Sequence, residues 1–292
     1  MSKNKRRYGD RKEGRLVRSL SPFYKLIPYM MPRRCDRCNQ YEENFEISVL
    51  DRRLRQLRVS GYKEISVLHF LIAAYIRAVS MMPGLNRFVA GRKVYARNDI
   101  EIVLSVRRDE SANSPVTAVK VAFEPTDTIF DVYRKIDERV SEIRASEDGE
   151  IADEYADMAS RLPRFLLRIC MSVLKFLDYF GWLPEGAINA SPFHGSMMIS
   201  DLGSLRINPV YHHIYNFGTL PMYISFGAKH HSYELNRKGE IVDKKYVDCK
   251  MVMDEGVVDS HYYAQLIQAF RVMFTHPEIV ETPPSKVIDD IY

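Results

Sequence analysis

Residues 251–270 read MVMDEGVVDSHYYAQLIQAF, and they decide how the rest of the chain is read. The first residues close an apolar, strand-like run. From Asp259 or Ser260 the apolar positions fall at helical spacing, and the helix should stop before Pro277. Between them lies DEGVVDS, 254–260, a strand-to-helix junction carrying three carboxylates. Such a junction holds side chains at a fixed angle to a sheet edge, which is where catalytic groups are often mounted.

Working outward, KHHSYELNRKGEIVDKKYVDCKMVM, 229–253, reads as a hairpin turning at NRKG. GTLPMYISFG, 218–227, is a buried strand bounded by glycines, and GSMMISDLGS, 195–204, is a strand ending in a turn. Upstream, YEENFEISVL, GRKVYARNDIEIVLSVRRDE and SPVTAVKVAFEP read as strands with turn residues between them. SVLDRRLRQLRVS places Leu50, Leu54 and Leu57 on one helical face. Ile65–Val79 is apolar nearly all round and ends at Pro83-Gly84, the pattern of a buried helix, with His69 as a core histidine. DTIFDVYRKIDERVSEIRA is an amphipathic helix opened by an Asp or Thr cap. Alternating elements of this kind predict α/β layers rather than an all-helical fold.

Composition narrows the class. With 292 residues, 46% hydrophobic and 27% charged, the chain has the make-up of a globular protein. No apolar run is long enough to span a bilayer. The basic start lacks the apolar segment of a secretory signal, so the expected location is the cytoplasm, with four reduced cysteines. Residues 1–20 carry eight Lys or Arg against Asp10 and Glu13. This basic arm, 1–14, is read as a disordered terminus; no nucleic-acid module follows it, and no nucleic-acid partner is expected. Cys35 and Cys38 form CDRC, but a zinc site needs four ligands and the other cysteines are distant, so no metal is expected.

The order ISDLGS, YISFG and DEGVVDS resembles the catalytic domain of the 2-oxo-acid dehydrogenase acyltransferases, the dihydrolipoamide acyltransferase core of the chloramphenicol acetyltransferase-like group. That family carries a segment like Thr-Ile-Ser-Asn-Leu-Gly and, some fifty residues later, His-x-x-x-Asp-Gly. FLIAAYIRAVSMMPGLNRFVAGRKVYARNDIEIVLSV, 70–106, is similar to its long helix, turn and strand pair. The resemblance implies a two-layer α/β sandwich, a mixed sheet with helices packed on one side. It covers a single domain over 15–285, with a helical insertion near 151–186 and a tail at 286–292. It also implies a homotrimer whose subunit interface forms the channel for acyl-CoA and an acceptor, acyl-CoA being a co-substrate and nothing being bound permanently.

Residue by residue, the resemblance puts Ser200 where a hydroxyl donates to the oxyanion, and Asp259 at the structural aspartate, with Arg15 or Arg18 as its partner. Ser260 replaces the glycine. Four residues before Asp259 stands Glu255, where the family has its histidine. A carboxylate of ordinary pKa, ~4.3, is a weak base for a thiol or alcohol, whereas burial lifts one toward ~6–7. Three alternatives stay open. Glu255 is the base; or a displaced histidine is, with His212 and His213 in YHHIYNFG the first choices and His194 and His261 further ones; or acyl transfer is lost and a trimeric binding or scaffold module remains. The bland reading of Asp254-Glu255 is a solvated turn, and His230 and His231 should be exposed. An acyltransferase acting on a small-molecule acceptor (a free alcohol, amine or thiol) is the reading followed, since no lipoyl segment is recognisable. Residues 162–183, apolar with Arg164, Arg168 and Lys175, read as a packed helix, a channel lid or a peripheral membrane contact.

Overall fold

The computed structural model describes residues 6–107, 116–145, 157–158 and 160–290. Its main feature is a mixed six-stranded sheet in the order β2-β9-β8-β7-β5-β6. The strands are β2 (Cys38–Glu46), β5 (Ile100–Arg107), β6 (Val116–Phe123), β7 (Met197–Asp201), β8 (Met222–Leu235) and β9 (Ile241–Asp254). β7 runs parallel to both β5 and β8, and the remaining pairs are antiparallel. A second sheet, β1-β4-β3, joins β1 (Gly14–Leu16), β4 (Lys93–Arg97) and β3 (Arg87–Ala90).

Helices α2 (Ser48–Val59), α3 (Val67–Met81), α4 (Ile129–Ala145) and α7 (Ser260–Thr275) share one core with the large sheet. Period-2 alternation decides which strand residues join it. Met197 and Ile199, Met222, Ile224 and Phe226, and Met251 and Met253 point to the helices. Helix α3 is the centre of this layer, buried from Phe70 to Ser80, as its all-round apolarity requires. Burying each of its large side chains contributes roughly 1.5–3 kcal/mol. α4 starts as expected, with the Asp131 N–H reaching Thr128 Oγ1 at 3.4 Å and Asp131 accepting from the Thr128 N–H at 3.0 Å.

The opposite face of the large sheet carries Met198, Ser200, Tyr223, Ser225 and Val252, and the return loop 206–221 lies over part of it. The loop is seated where β8 bulges between Phe226 and Lys229. There Ala228 N–H bonds Ile207 O at 3.0 Å, and a Cβ on Gly227 would stand 2.5 Å from Pro209 Cδ. Ser225 Oγ donates to Val210 O at 2.5 Å. Only a residue without a side chain lets the loop approach this closely.

Two expectations about the ends are corrected. Residues 1–5 lie outside the described residues, but from residue 6 the basic arm is structured. Arg11 is buried, donating to Asp178 Oδ1 at 2.8 Å and to Asp178 O at 2.7 Å. A low-complexity look concealed a specific buried partner 167 residues away. The tail is also fastened: Ile288 N–H bonds Ser80 O at 2.8 Å, and Asp290 pairs with Arg87. The insertion contains helices α5 (Arg164–Phe180) and α6 (Glu185–Ala190); 151–156 and 159 lie outside the described residues. α1 (Pro22–Met30) lies between β1 and β2.

His69 packs as a core histidine, and it also caps its helix: Nδ1 accepts the Ser66 N–H at 3.2 Å. Burial lowers its pKa to about 4. The folded state therefore prefers the neutral ring, so stability is fully present above the unfolded value of ~6.5 and is lost as pH falls through about 4. Chemical denaturation at pH 7 and pH 4.5 should show a loss of up to about 3 kcal/mol from this group, and the loss should shrink in His69→Gln.

Candidate active site

Asp254 ends β9 with no solvent exposure. Arg37 meets it with two bonds, Nε to Oδ1 at 2.5 Å and Nη2 to Oδ2 at 3.0 Å, and Arg34 Nε lies 3.4 Å from Oδ2. Arg34 also donates to Tyr215 O at 3.0 Å, Gly218 O at 2.6 Å and Val89 O at 3.2 Å. The cluster therefore ties the strand end to the loop over Ser200. It sets the next turn too: Glu255 N–H bonds Arg37 O at 2.9 Å and Gly256 N–H bonds Asp254 Oδ1 at 2.9 Å. A Cβ on Gly256 would stand 2.6 Å from Arg37 Nε, which explains the glycine.

The expected solvated turn is thus half corrected. Asp254 is an interior ion-pair residue, while Glu255 is part-exposed and accepts from Ser260 Oγ at 3.4 Å. Asp259 is the helix cap, accepting from Tyr262 N–H at 2.8 Å and from Tyr24 OH at 2.9 Å. The proposed Arg18 partnership is corrected as well. Arg18 pairs with Asp10 at 3.2 Å and donates to Tyr8 O and Leu16 O. Asp259 is satisfied locally by its own helix, and the sequence distance to Arg18 concealed that.

Ser200 sits in the sheet's other face, 6% exposed. Its Oγ is 2.8 Å from Tyr223 OH and 3.5 Å from Ser105 Oγ. Burial raises the Tyr223 pKa, partly offset by the bonds from Ser200 and Ser105, so the phenol keeps its proton at neutral pH. Three hydroxyls on three neighbouring strands converge here. Tyr223 and Ser105 were not singled out by sequence. The available signal was the alternation in YISFG, which puts Tyr223 and Ser225 on the face shared with Ser200 once the strands are in register.

His212 stacks on the Tyr223 ring, with centroids 4.2 Å apart and planes 16° apart. Its Nε2 is buried, and among the described residues no group bonds it. Burial, and then the neighbouring His213, lower its pKa, so the ring is neutral at physiological pH. His213 itself is exposed. His194 is fully buried elsewhere, bonded to Ser191 Oγ at 2.8 Å and to Asp178 at 3.4 Å. His261 is exposed and pairs with Gln265. His231 is exposed as expected, whereas His230 is half-buried.

Within one chain, Ser200 and Glu255 do not meet. Ser200 registers with Ser225, which registers with Lys250, and Glu255 lies five residues further along. At ~3.4 Å per residue and ~4.8 Å per strand, that is about 20 Å. Among the described residues no cluster of three or more His, Cys, Asp or Glu is arranged to hold a metal. Burial pushes the Cys38 thiol of CDRC up to about 12.

Several solved structures share this architecture. A probable dihydrolipoamide acetyltransferase from Listeria monocytogenes superposes with a TM-score of 0.59 at 15% identity, covering 92% of each chain. The fold is that of the chloramphenicol acetyltransferase-like proteins. Chloramphenicol acetyltransferase matches at 0.53 and 11% identity over 84% of this chain and 92% of its own. The Azotobacter vinelandii dihydrolipoamide acetyltransferase matches at 0.55 and 11% over 83% of both chains. In that enzyme a serine, a histidine and an asparagine four residues beyond it were investigated for roles in catalysis. No protein-family model matches the sequence, and no curated protein matches it.

Because Arg37 and Asp254 are both buried, removing Arg37 strips the interior carboxylate of both its guanidinium hydrogen bonds and leaves it only Arg34 Nε at 3.4 Å. Arg37→Ala should cost about 3–5 kcal/mol in denaturant unfolding. A surface pair such as Arg134 with Glu138, removed the same way, should cost under about 0.5 kcal/mol.

Proposed function

We propose that the protein is a CoA-dependent acyltransferase, moving an acyl group from an acyl-CoA to a small acceptor bearing an alcohol, amine or thiol. The observation that carries this reading is the hydroxyl cluster beside the 206–221 loop, in which the buried Ser200 and Tyr223 bond each other and the exposed Ser105 closes one side. A neutral phenol and a serine hydroxyl, fixed by packing and mutual bonds, are preorganised donors for the oxyanion that forms when a thioester carbonyl is attacked. The fold shared with acetyltransferases supports it.

The acceptor's proton goes to Glu255 of a neighbouring chain in a homotrimer. Glu255 precedes Asp259 by the same four residues that separate the histidine and asparagine of the Azotobacter enzyme. The β8–β9 hairpin tip supports subunit contact, since Tyr233, Leu235 and Ile241 leave an apolar stripe largely exposed. A neighbour would also supply the enclosure that Glu255 lacks in its own chain. His212 is the second candidate base, favoured by its unbonded Nε2 beside Tyr223. The alternative of a binding module without catalysis draws on the absence of a histidine at 255.

The test is release of CoA from a panel of acyl-CoAs with simple alcohol, amine and thiol acceptors. Ser200→Ala should lower kcat/KM by roughly 10²–10³. Glu255→Gln should abolish turnover while His212→Ala spares it; the reverse result transfers the base to His212. In that case the acid limb of the pH profile should lie below the ordinary histidine range, since only the neutral ring accepts a proton. No turnover with any donor, together with no CoA binding, would leave the scaffold reading.

A further inference from the structure

Helix α5 is amphipathic, and the other described residues do not bury its apolar face. Phe165, Ile169, Val173, Phe176 and Phe180 follow one another at helical spacing and are exposed, and Trp182 continues the stripe past Gly181. Phe180 and Trp182 stack at 5.1 Å, and Phe176 packs on Phe180 at 4.8 Å, so the aromatic residues form one surface. Alongside runs a second stripe, Arg164, Arg168 and Lys175, also exposed. The only carboxylate between Pro163 and Pro184 is Asp178, which is buried and held by Arg11 and His194. The outer surface of the helix is therefore apolar and cationic, with no compensating acid.

The neighbouring helix has the same character. Phe23, Leu26 and Met30 of α1 lie on one face and are exposed. Between the two helices is a cleft of about 250 Å³ with Pro28 and Pro32 on one side and Lys175 and Tyr179 on the other. Arg92, exposed and 5.4 Å from the Tyr29 ring centroid, also lines it. No helix among the described residues is long and apolar enough to cross a membrane.

We propose that α5, with α1 beside it, docks the protein on the surface of an anionic phospholipid bilayer. The aromatic stripe would enter the interfacial region, with Arg164, Arg168 and Lys175 at the level of the headgroups and Arg92 and Lys175 at the mouth of a headgroup-sized cleft. Charge decides between lipid and a second copy of the chain. Pairing two such faces sets cation against cation, whereas a phosphate-bearing surface neutralises them. A tryptophan and a tyrosine at the end of the helix are the side chains that favour the water–lipid boundary. The inference does not rest on the acyl-transfer reading.

Trp182 is the only tryptophan in the chain and is 61% exposed, so the unmodified protein carries its own probe. With vesicles of equal parts phosphatidylcholine and phosphatidylglycerol, its emission should shift to the blue and become quenchable by brominated acyl chains. Pure phosphatidylcholine should give a much smaller response. Each basic residue near an anionic surface contributes roughly fivefold to partitioning, so the Arg164→Gln/Arg168→Gln/Lys175→Gln variant should bind roughly a hundredfold more weakly. These positions are exposed, and circular dichroism checks that the variant folds. Unchanged emission of the folded wild-type protein with anionic vesicles would overturn the proposal. So would a blue shift that follows protein concentration without lipid, which would assign the face to self-association.

Discussion

The Arg34, Arg37 and Asp254 cluster is the constraint on which the site's geometry depends. One carboxylate meets two guanidinium groups with no solvent at the carboxylate, leaving a net positive charge inside the protein. Desolvating three ions is expensive, so such a cluster is weak evidence of net stabilisation over a well-packed apolar alternative. Its directional bonds are what an apolar cluster could not reproduce. They fix the 34–37 turn, the end of β9, β3 at Val89 and the loop at 215–218 relative to one another. The orientation of Glu255 and the lie of the loop above Ser200 are both set by these same few bonds.

Strand alternation explains why Ser200, Tyr223 and His212, the candidate site residues, lie on the face away from the helices. The helix-facing positions of β7, β8 and β9 are filled by large apolar side chains packed around α3, leaving no space for chemistry. The other face alternates with them and is covered by an irregular loop. There, hydroxyls can be half-enclosed and still be approached. The loop's proximity depends on Gly227 at the bulge and on backbone bonds to Ile207 and Val210. A rigid sheet supplies the hydroxyls, and a loop supplies His212.

The helices and long strands were legible in the sequence because periodicity and caps are local. Leu50, Leu54 and Leu57, the all-apolar α3, the NRKG hairpin and the Asp259 cap all stand where their patterns put them. Ser200 was singled out by motif order, and the structure puts it on β7 as the strand reading expected. What escaped was non-local. Arg37 and Asp254 are 217 residues apart, and Ser105 joins Ser200 only through strand order. β1 and β3 are too short to show a period. Arg18 was assigned to Asp259 by analogy, but a carboxylate at a helix start is satisfied first by its own N–H groups, and Asp259 obeys that rule.

Glu255 and His212, the two candidate bases of the proposed reaction, are held in contrasting ways. Glu255 is held by its backbone, and its part-exposed side chain has only a long bond from Ser260 Oγ, at 3.4 Å, to orient it. His212 is held by its ring, flat against Tyr223, so its nitrogens have fixed directions. A buried nitrogen without a partner costs about 1–3 kcal/mol. Folded chains tend to keep such a defect where function supplies the missing group. A substrate hydroxyl or thiol donating to Nε2 would remove that cost on binding. In the proposed reaction the same contact would bring its proton to a neutral imidazole one ring away from the Ser200 and Tyr223 hydroxyls, so the stacking that orients His212 would also set the direction of proton transfer.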